Sequence, residues 1–270
     1  MISNILAIAG SDPSGGAGIQ ADIKAISARG AYAMAVITAI TAQNSVGVQA
    51  VQTLGADLIR QQIGSIRADI RIDAVKIGML GNVASIEAVA SALEGLQVPV
   101  VVDPVMVAKS GDRLLEANAV EALRAFLLPK ASVITPNLPE AADLLGVREA
   151  CDQDDMETQA RALLALGPRM VVLKGGHLRA GGSPDLVATH GALVWIPGKR
   201  FDTPNTHGTG CTFSSALATE LGRGVPSVKA VTAAKAYVAG AIRAADLLQV
   251  GHGHGPTHHF HQLWPKRGLP

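Results

Sequence analysis

The sequence predicts an α/β fold, a mostly parallel sheet with helices on both faces, and three observations carry that prediction. Short β-branched runs recur at residues 5–9, 35–40, 74–77, 98–102, 132–135 and 170–173. Helical stripes of apolar residues lie between them. Apolar residues make up 48% of the 270 and aromatics only 3%, so small side chains must let helices approach the sheet closely. That length suits one domain over residues 1–270.

The elements follow in order. Run 5–9 leads straight into Gly10, Ser11 and Asp12, and Ile19, Ile23 and Ile26 then mark the buried stripe of a helix. Run 35–40 ends on Thr41, Ala42, Gln43 and Asn44. After run 74–77, Ile86, Val89 and Leu93 give a second helical stripe, and run 98–102 stops at Asp103. Run 170–173 opens onto Lys174, Gly175 and Gly176. Residues 186–189 and 192–196 flank His190 and Gly191, the pattern of an antiparallel hairpin at one edge of the sheet. Closing helices are expected at 211–221 and 228–248. The tail carries His252, His254, His258, His259 and His261 and reads as a flexible or docked surface segment without a catalytic metal. In an open α/β sheet, ligands bind where strands run into such polar and glycine-rich ends.

Composition narrows the function. Lys plus Arg number 23 against 22 Asp plus Glu, which leaves no excess positive charge for a nucleic acid backbone. Cys151 and Cys211 are too few for a secreted disulfide framework, so a cytoplasmic location is expected. No apolar run is long enough to predict a membrane span, and no basic stretch precedes the first one as in a signal peptide.

Two glycine clusters invite phosphate chemistry. In the first, Gly10 and Gly15 are followed by Gly16 and Ala17 where a P-loop needs Lys and Ser or Thr. A dinucleotide fingerprint fails as well, because the strand ending at Ile40 supplies Thr41 and Gln43 instead of a ribose-binding carboxylate. A strained structural turn remains open for this cluster. The second cluster, Thr206, His207, Gly208, Thr209, Gly210, Cys211 and Thr212, precedes the apolar stripe Phe213, Leu217 and Leu221. It places bare N–H groups at a helix start, where an anion is held by peptide dipoles and a thiol is expected to become more acidic. A structural turn with an inert cysteine is the alternative. Asp103, Asn137 and Glu140 offer the oxygen ligands magnesium prefers, and Lys174 ends a buried strand within reach of a phosphate.

These elements, in this order, resemble the ribokinase-like superfamily and, within it, the bacterial hydroxymethylpyrimidine/phosphomethylpyrimidine kinases of thiamine biosynthesis. The resemblance covers essentially the whole chain, through residues 9–22, 41–44, 76–80, 103–111, 135–141, 174–177 and 207–212 and the tail at 253–260. It implies a three-layer fold and ATP-dependent phosphorylation of a hydroxymethylpyrimidine to its monophosphate and then its diphosphate. The implied pyrimidine pocket is Gly10, Ala17, Asp22, Gln43, Met79 and Val107. Gly208, Thr209, Gly210 and Cys211 form the implied anion hole, with Cys211 as proton acceptor where most of the superfamily has Asp. Asp103, Asn137 and Glu140 then organise Mg2+, Lys174 meets phosphate, and Lys109, Ser110 and Gly111 belong to a flap. The resemblance is compatible with a homodimer. Competing readings are a pyridoxal or pyridoxine kinase, a cysteine hydrolase pairing Cys211 with His207, and a pyrimidine sensor without turnover.

Overall fold

The computed structural model describes residues 1–107, 111, 114–116, 118–178 and 182–264. The chain opens with β1 (Asn4–Ser11), α1 (Gly18–Ala28), β2 (Tyr32–Gln43), β3 (Val48–Thr53), α2 (Ala56–Asp69) and β4 (Ala74–Ile77). It continues with α3 (Val83–Ala92), β5 (Val100–Val102), α4 (Ala119–Ala122), β6 (Val133–Ile134), α5 (Leu138–Leu145), α6 (Gln153–Leu164) and β7 (Met170–Lys174). The hairpin β8 (Asp185–Thr189) and β9 (Leu193–Ile196) and the helices α7 (Thr209–Gly222) and α8 (Ser227–Arg243) complete it. The strands form one nine-stranded sheet in the order β3-β2-β1-β4-β5-β6-β7-β8-β9. Pairing is parallel from β2 through β7 and antiparallel at both ends, β2 with β3 and β7 through β9.

Alternation along the strands divides the apolar residues between two faces. Leu6 and Ile8 of β1 join Ile59 and Ile63 of α2, Ile86 of α3, Leu138 of α5 and Met156 of α6. Ile5, Ala7 and Ala9 join Ile19 and Ile26 of α1, Phe213 and Leu217 of α7 and Tyr237 of α8. The result is the three-layer arrangement expected from the sequence. Each large side chain so buried contributes roughly 1.5 to 3 kcal/mol, so both faces carry stability.

Three expectations need correction. Strand β3 was not anticipated, because Val48–Thr53 is an edge strand whose residues are exposed or half-buried and carry no apolar run. The α1 stripe is rotated: Ile23 is exposed, and the buried face is Ile19, Ala21, Asp22, Ala25 and Ile26. Helix α8 ends at Arg243, and a short 3-10 turn at Ala245–Leu247 carries the chain onward. Lys109 and Ser110 of the expected flap lie outside the described residues. No helix among the described residues is long and apolar enough to cross a membrane.

Candidate active site

The carboxyl ends of the parallel strands deliver Gly10, Asp103 and Lys174 to one open cavity of about 1240 Å³. Gly10, Ala17, Gln43, Met79 and Val107 line it together with Gly208, Thr209, Gly210, Cys211, Asp103, Asn137, Glu140 and Lys174. Ile196, Lys199, Lys235 and Ala239 line it as well. The expected pocket residues thus share one space with the expected anion loop, with the exception of Asp22. Asp22 is fully buried below the floor, so its carboxylate is not offered to a ring. Val107 stands at the rim, about half exposed.

The glycine loops pack backbone against backbone. Gly208 caps α7 in the left-handed region at φ 76°, and a side chain there would overlap the Gly16 carbonyl. Only glycine meets both demands at this position. Gly10 lies so close to Met79 that an added Cβ would stand 2.7 Å from the Met79 methyl. Asp12 ties the two loops together: its carboxylate accepts from the N–H of Ser14 at 2.9 Å and of Ala17 at 2.8 Å, and His207 Nε2 lies 2.8 Å from it. Burial alone would raise the Asp12 carboxyl, but the bonds from His207, Ser14 and Ala17 outweigh it and hold the group below its ordinary range. His207 is therefore engaged by Asp12, and no hydrogen bond joins it to Cys211. The nucleophile–base pair a hydrolase needs is not formed.

Under the anion loop lies a row of buried charges. Lys76 Nζ donates to both oxygens of Asp22, at 2.7 and 2.8 Å, and Ser215, one turn along α7 from Cys211, donates to Asp22 at 2.8 Å. Burial disfavours the Lys76 ammonium, yet the carboxylates of Asp22 and Asp103 around it keep it protonated. Asp103 accepts from Thr135 at 2.9 Å, Lys174 at 3.1 Å and Ser214 at 3.3 Å, and Lys174 stands 3.9 Å from Glu140. Burial opposes the charge on Asp103 as well, but Lys174 and Lys76 hold its carboxyl below the usual range. Lys235, also on the cavity wall, pairs with Asp185 at 2.6 Å. The sequence reading missed Asp12, Lys76, Ser215, Asp185 and Lys235 as parts of the site. A lysine inside the apolar run 74–77 was the available signal, since a buried ammonium requires a partner.

The thiol departs from expectation. Burial together with the Asp22 and Asp103 charges pushes Cys211 up to about 11, against the Lys76 ammonium and a backbone bond from Gly18, which favour thiolate. An acidic cysteine was expected, and a neutral one is found.

Asn137 and Glu140 form a capping box at the start of α5, each side chain accepting from the other's backbone N–H at 2.8 Å. Asn137 thereby positions Glu140. Burial, with the Asp103 charge nearby and only partial relief from Lys174, pushes the Glu140 carboxyl up to about 7. A carboxyl raised from 4.5 to about 7 makes the folded state progressively less stable as pH rises between those values, and the loss is complete above them. Without magnesium, Glu140→Gln is therefore expected to stabilise the protein by up to roughly 3 kcal/mol at pH 8 and by little at pH 4. Urea unfolding across that range checks it; a pH-independent difference would remove the buried carboxylate as the cause.

Comparison with known proteins agrees with this geometry. A family model described as phosphomethylpyrimidine kinase matches residues 12–258. The hydroxymethylpyrimidine/phosphomethylpyrimidine kinase of Rhizobium meliloti is 50% identical over 98% of this chain and 99% of its own length. That of Salmonella typhimurium is 51% identical over 97% and 98%. Among solved structures, an ADP complex of Bacillus subtilis pyridoxal kinase superposes with a TM-score of 0.88 at 40% identity, covering 96% of this chain and 98% of that one. The charged rim, the paired glycine loops and these full-length matches together place the chain in the phosphomethylpyrimidine kinase family.

Proposed function

We propose that the chain transfers the γ-phosphoryl group of ATP to the hydroxymethyl group of 4-amino-5-hydroxymethyl-2-methylpyrimidine, and then a second phosphoryl group to the product. The observation that carries this reading is a single cavity lined both by Gly10, Gln43 and Met79 and by the start of α7. Gln43 reads the ring edge by its amide while Met79 and Val107 cover its apolar faces. The acceptor oxygen attacks phosphorus, ADP leaves, and the acceptor proton passes to Cys211 in its thiolate form, the minority form at neutral pH. The N–H groups of Gly210 and Cys211 hold the transferring group, and Lys174 neutralises its charge. The first phosphate occupies part of the same anion region during the second transfer.

Magnesium fits the donor set, which is oxygen-rich. Glu140 has one oxygen engaged by Asn137 and the other without a hydrogen bond among the described residues, and its raised pKa marks a carboxylate short of positive charge. Glu140 and Asp103 would hold the ion, which would neutralise phosphate charge. Asp22 acts on the pocket from beneath, through Lys76.

Purified protein given ATP, magnesium and hydroxymethylpyrimidine should yield monophosphate and then diphosphate, identified by mass, and chelation should stop both steps. Phosphorylation of pyridoxal alone would overturn the substrate and leave the kinase chemistry standing. Gln43→Ala is expected to weaken acceptor binding about fivefold to hundredfold, the loss of one buried hydrogen bond, with ATP binding unchanged. Titration calorimetry separates the two; equal weakening would take Gln43 out of ring recognition.

A further inference from the structure

Beyond α8 the chain turns back across the site. His254 N–H donates to the Ser45 carbonyl at 2.9 Å and Gly253 N–H to the Ser45 hydroxyl at 3.2 Å, which docks the tail on the loop following Gln43. Gly253 fits there because a side chain would overlap the Ser45 carbonyl. Gly255 N–H then donates to the Asn205 side chain at 3.1 Å. The Gly255 carbonyl accepts from His207 N–H at 3.0 Å, and Thr257 N–H donates to the His207 carbonyl at 3.3 Å, a strand-like bridge centred on Pro256. Thr257, His258 and His259 are buried, so this part of the tail belongs to the interior and not to the surface expected from its histidines.

His259 reaches the anion loop through one intermediary. Its Nε2 lies 3.0 Å from Thr212 Oγ1, while the Thr212 hydroxyl donates to the Gly208 carbonyl at 2.8 Å. The hydroxyl proton being committed to Gly208, the ring N–H is the donor and Thr212 the acceptor. Burial keeps the ring neutral, pushing it down to about 3, so it carries a single N–H. The Tyr237 hydroxyl fixes the His259 carbonyl at 2.7 Å, and His258 N–H is bound to the Ala241 carbonyl of α8 at 3.0 Å. The Gly208 carbonyl, which also takes the Thr212 N–H at 2.9 Å, opens α7. Its orientation sets the first turn, whose N–H groups at Gly210 and Cys211 have no carbonyl partner within the helix.

We propose that residues 251–259 are a positioning strap that joins the loop after Gln43 to the anion loop, with His259 holding Gly208 through Thr212. The inference rests on the kinase reading above. His259 touches no substrate; it fixes the N–H groups that do.

The test compares His259→Leu, which fills the space without a donor, with His259→Gln, whose amide can still donate. In the leucine variant kcat is expected to fall about tenfold to hundredfold, as for a small displacement of positioned groups, with the acceptor KM changed less than about threefold. His259→Gln should recover most of the loss. Thr212→Val should reproduce it, and the double variant His259→Leu/Thr212→Val should be no worse than the worse single one. Amide resonances of Gly208 and Gly210 should move on addition of the ATP analogue AMP-PCP to wild type, and His259→Leu should bind the analogue at least about tenfold more weakly. If His259→Leu binds the analogue that much more weakly than wild type and wild type phosphorylates no pyrimidine, the function reading fails and the strap stands. Full kcat in folded Thr212→Val, or equal losses in the leucine and glutamine variants, overturns the strap. Should His259→Leu not fold, Thr212→Val and His259→Gln decide alone.

Discussion

Lys76→Met is expected to cost about 3 to 5 kcal/mol of folding stability, because it strands the Asp22 carboxylate in the interior. Both side chains are fully buried, and Ser215 is the one other hydrogen-bond donor to Asp22 among the described residues. Water cannot replace the ammonium without opening the packing between α1, α7 and the sheet. The double variant Asp22→Asn/Lys76→Met removes both charges, keeps an acceptor for Ser215, and should regain much of the loss. Urea unfolding of wild type, the single variant and the double variant measures this. A single variant within about 1 kcal/mol of wild type would mean that Asp22 takes up a proton there at no appreciable cost.

The same pair reaches the chemistry. Lys76 favours the Cys211 thiolate and the Asp103 carboxylate, while Asp22 and Asp103 oppose the thiolate. Cys211 and Ser215 lie one turn apart on α7, so the buried pair sits directly beneath the thiol's own helix face. A network that looks structural thus sets the charge landscape of the anion loop. It explains why Asp22, expected at the ring, is found one layer lower.

Sequence reasoning reached the sheet because buried parallel strands must be apolar and must end somewhere; runs such as 74–77 and 98–102 stop within a residue or two of where the structure stops them. It reached the cavity residues for a related reason, since strand ends and helix starts leave polar groups facing a common rim. Edge strand β3 escaped because its exposed residues carry no burial pattern. The pairs Asp12–His207, Asp22–Lys76 and Asp185–Lys235 escaped for a different reason: each joins distant segments, and no local spacing announces the partner. The acidity of Cys211 failed most instructively. A helix start acts on a thiol over one turn, but burial and two nearby carboxylates act on it from elements far apart in the chain.

Cys211→Ala should lower kcat by about 10²- to 10⁴-fold with little change in acceptor affinity, since the anion-binding backbone of α7 remains. The raised thiol makes a further demand. With Cys211 pushed up to about 11, the thiolate is a small minority at neutral pH. If it accepts the acceptor proton, kcat must climb with pH through the neutral range and beyond, until the thiol of the bound enzyme is titrated. Alanine should abolish that climb. Alkylation of Cys211 should accelerate with pH in the same way, and bound acceptor should slow it by covering the sulfur. Cys211→Asp should restore part of the rate and flatten the profile near neutrality, because a carboxylate is already ionised there, although burial and the Asp22 and Asp103 charges will raise its pKa too. Steady-state kinetics of both transfers between pH 6 and 10 separates these outcomes. An alanine variant with wild-type kcat and an unchanged pH profile would make Cys211 structural, leaving transfer to the α7 N–H groups, Lys174 and the magnesium carboxylates.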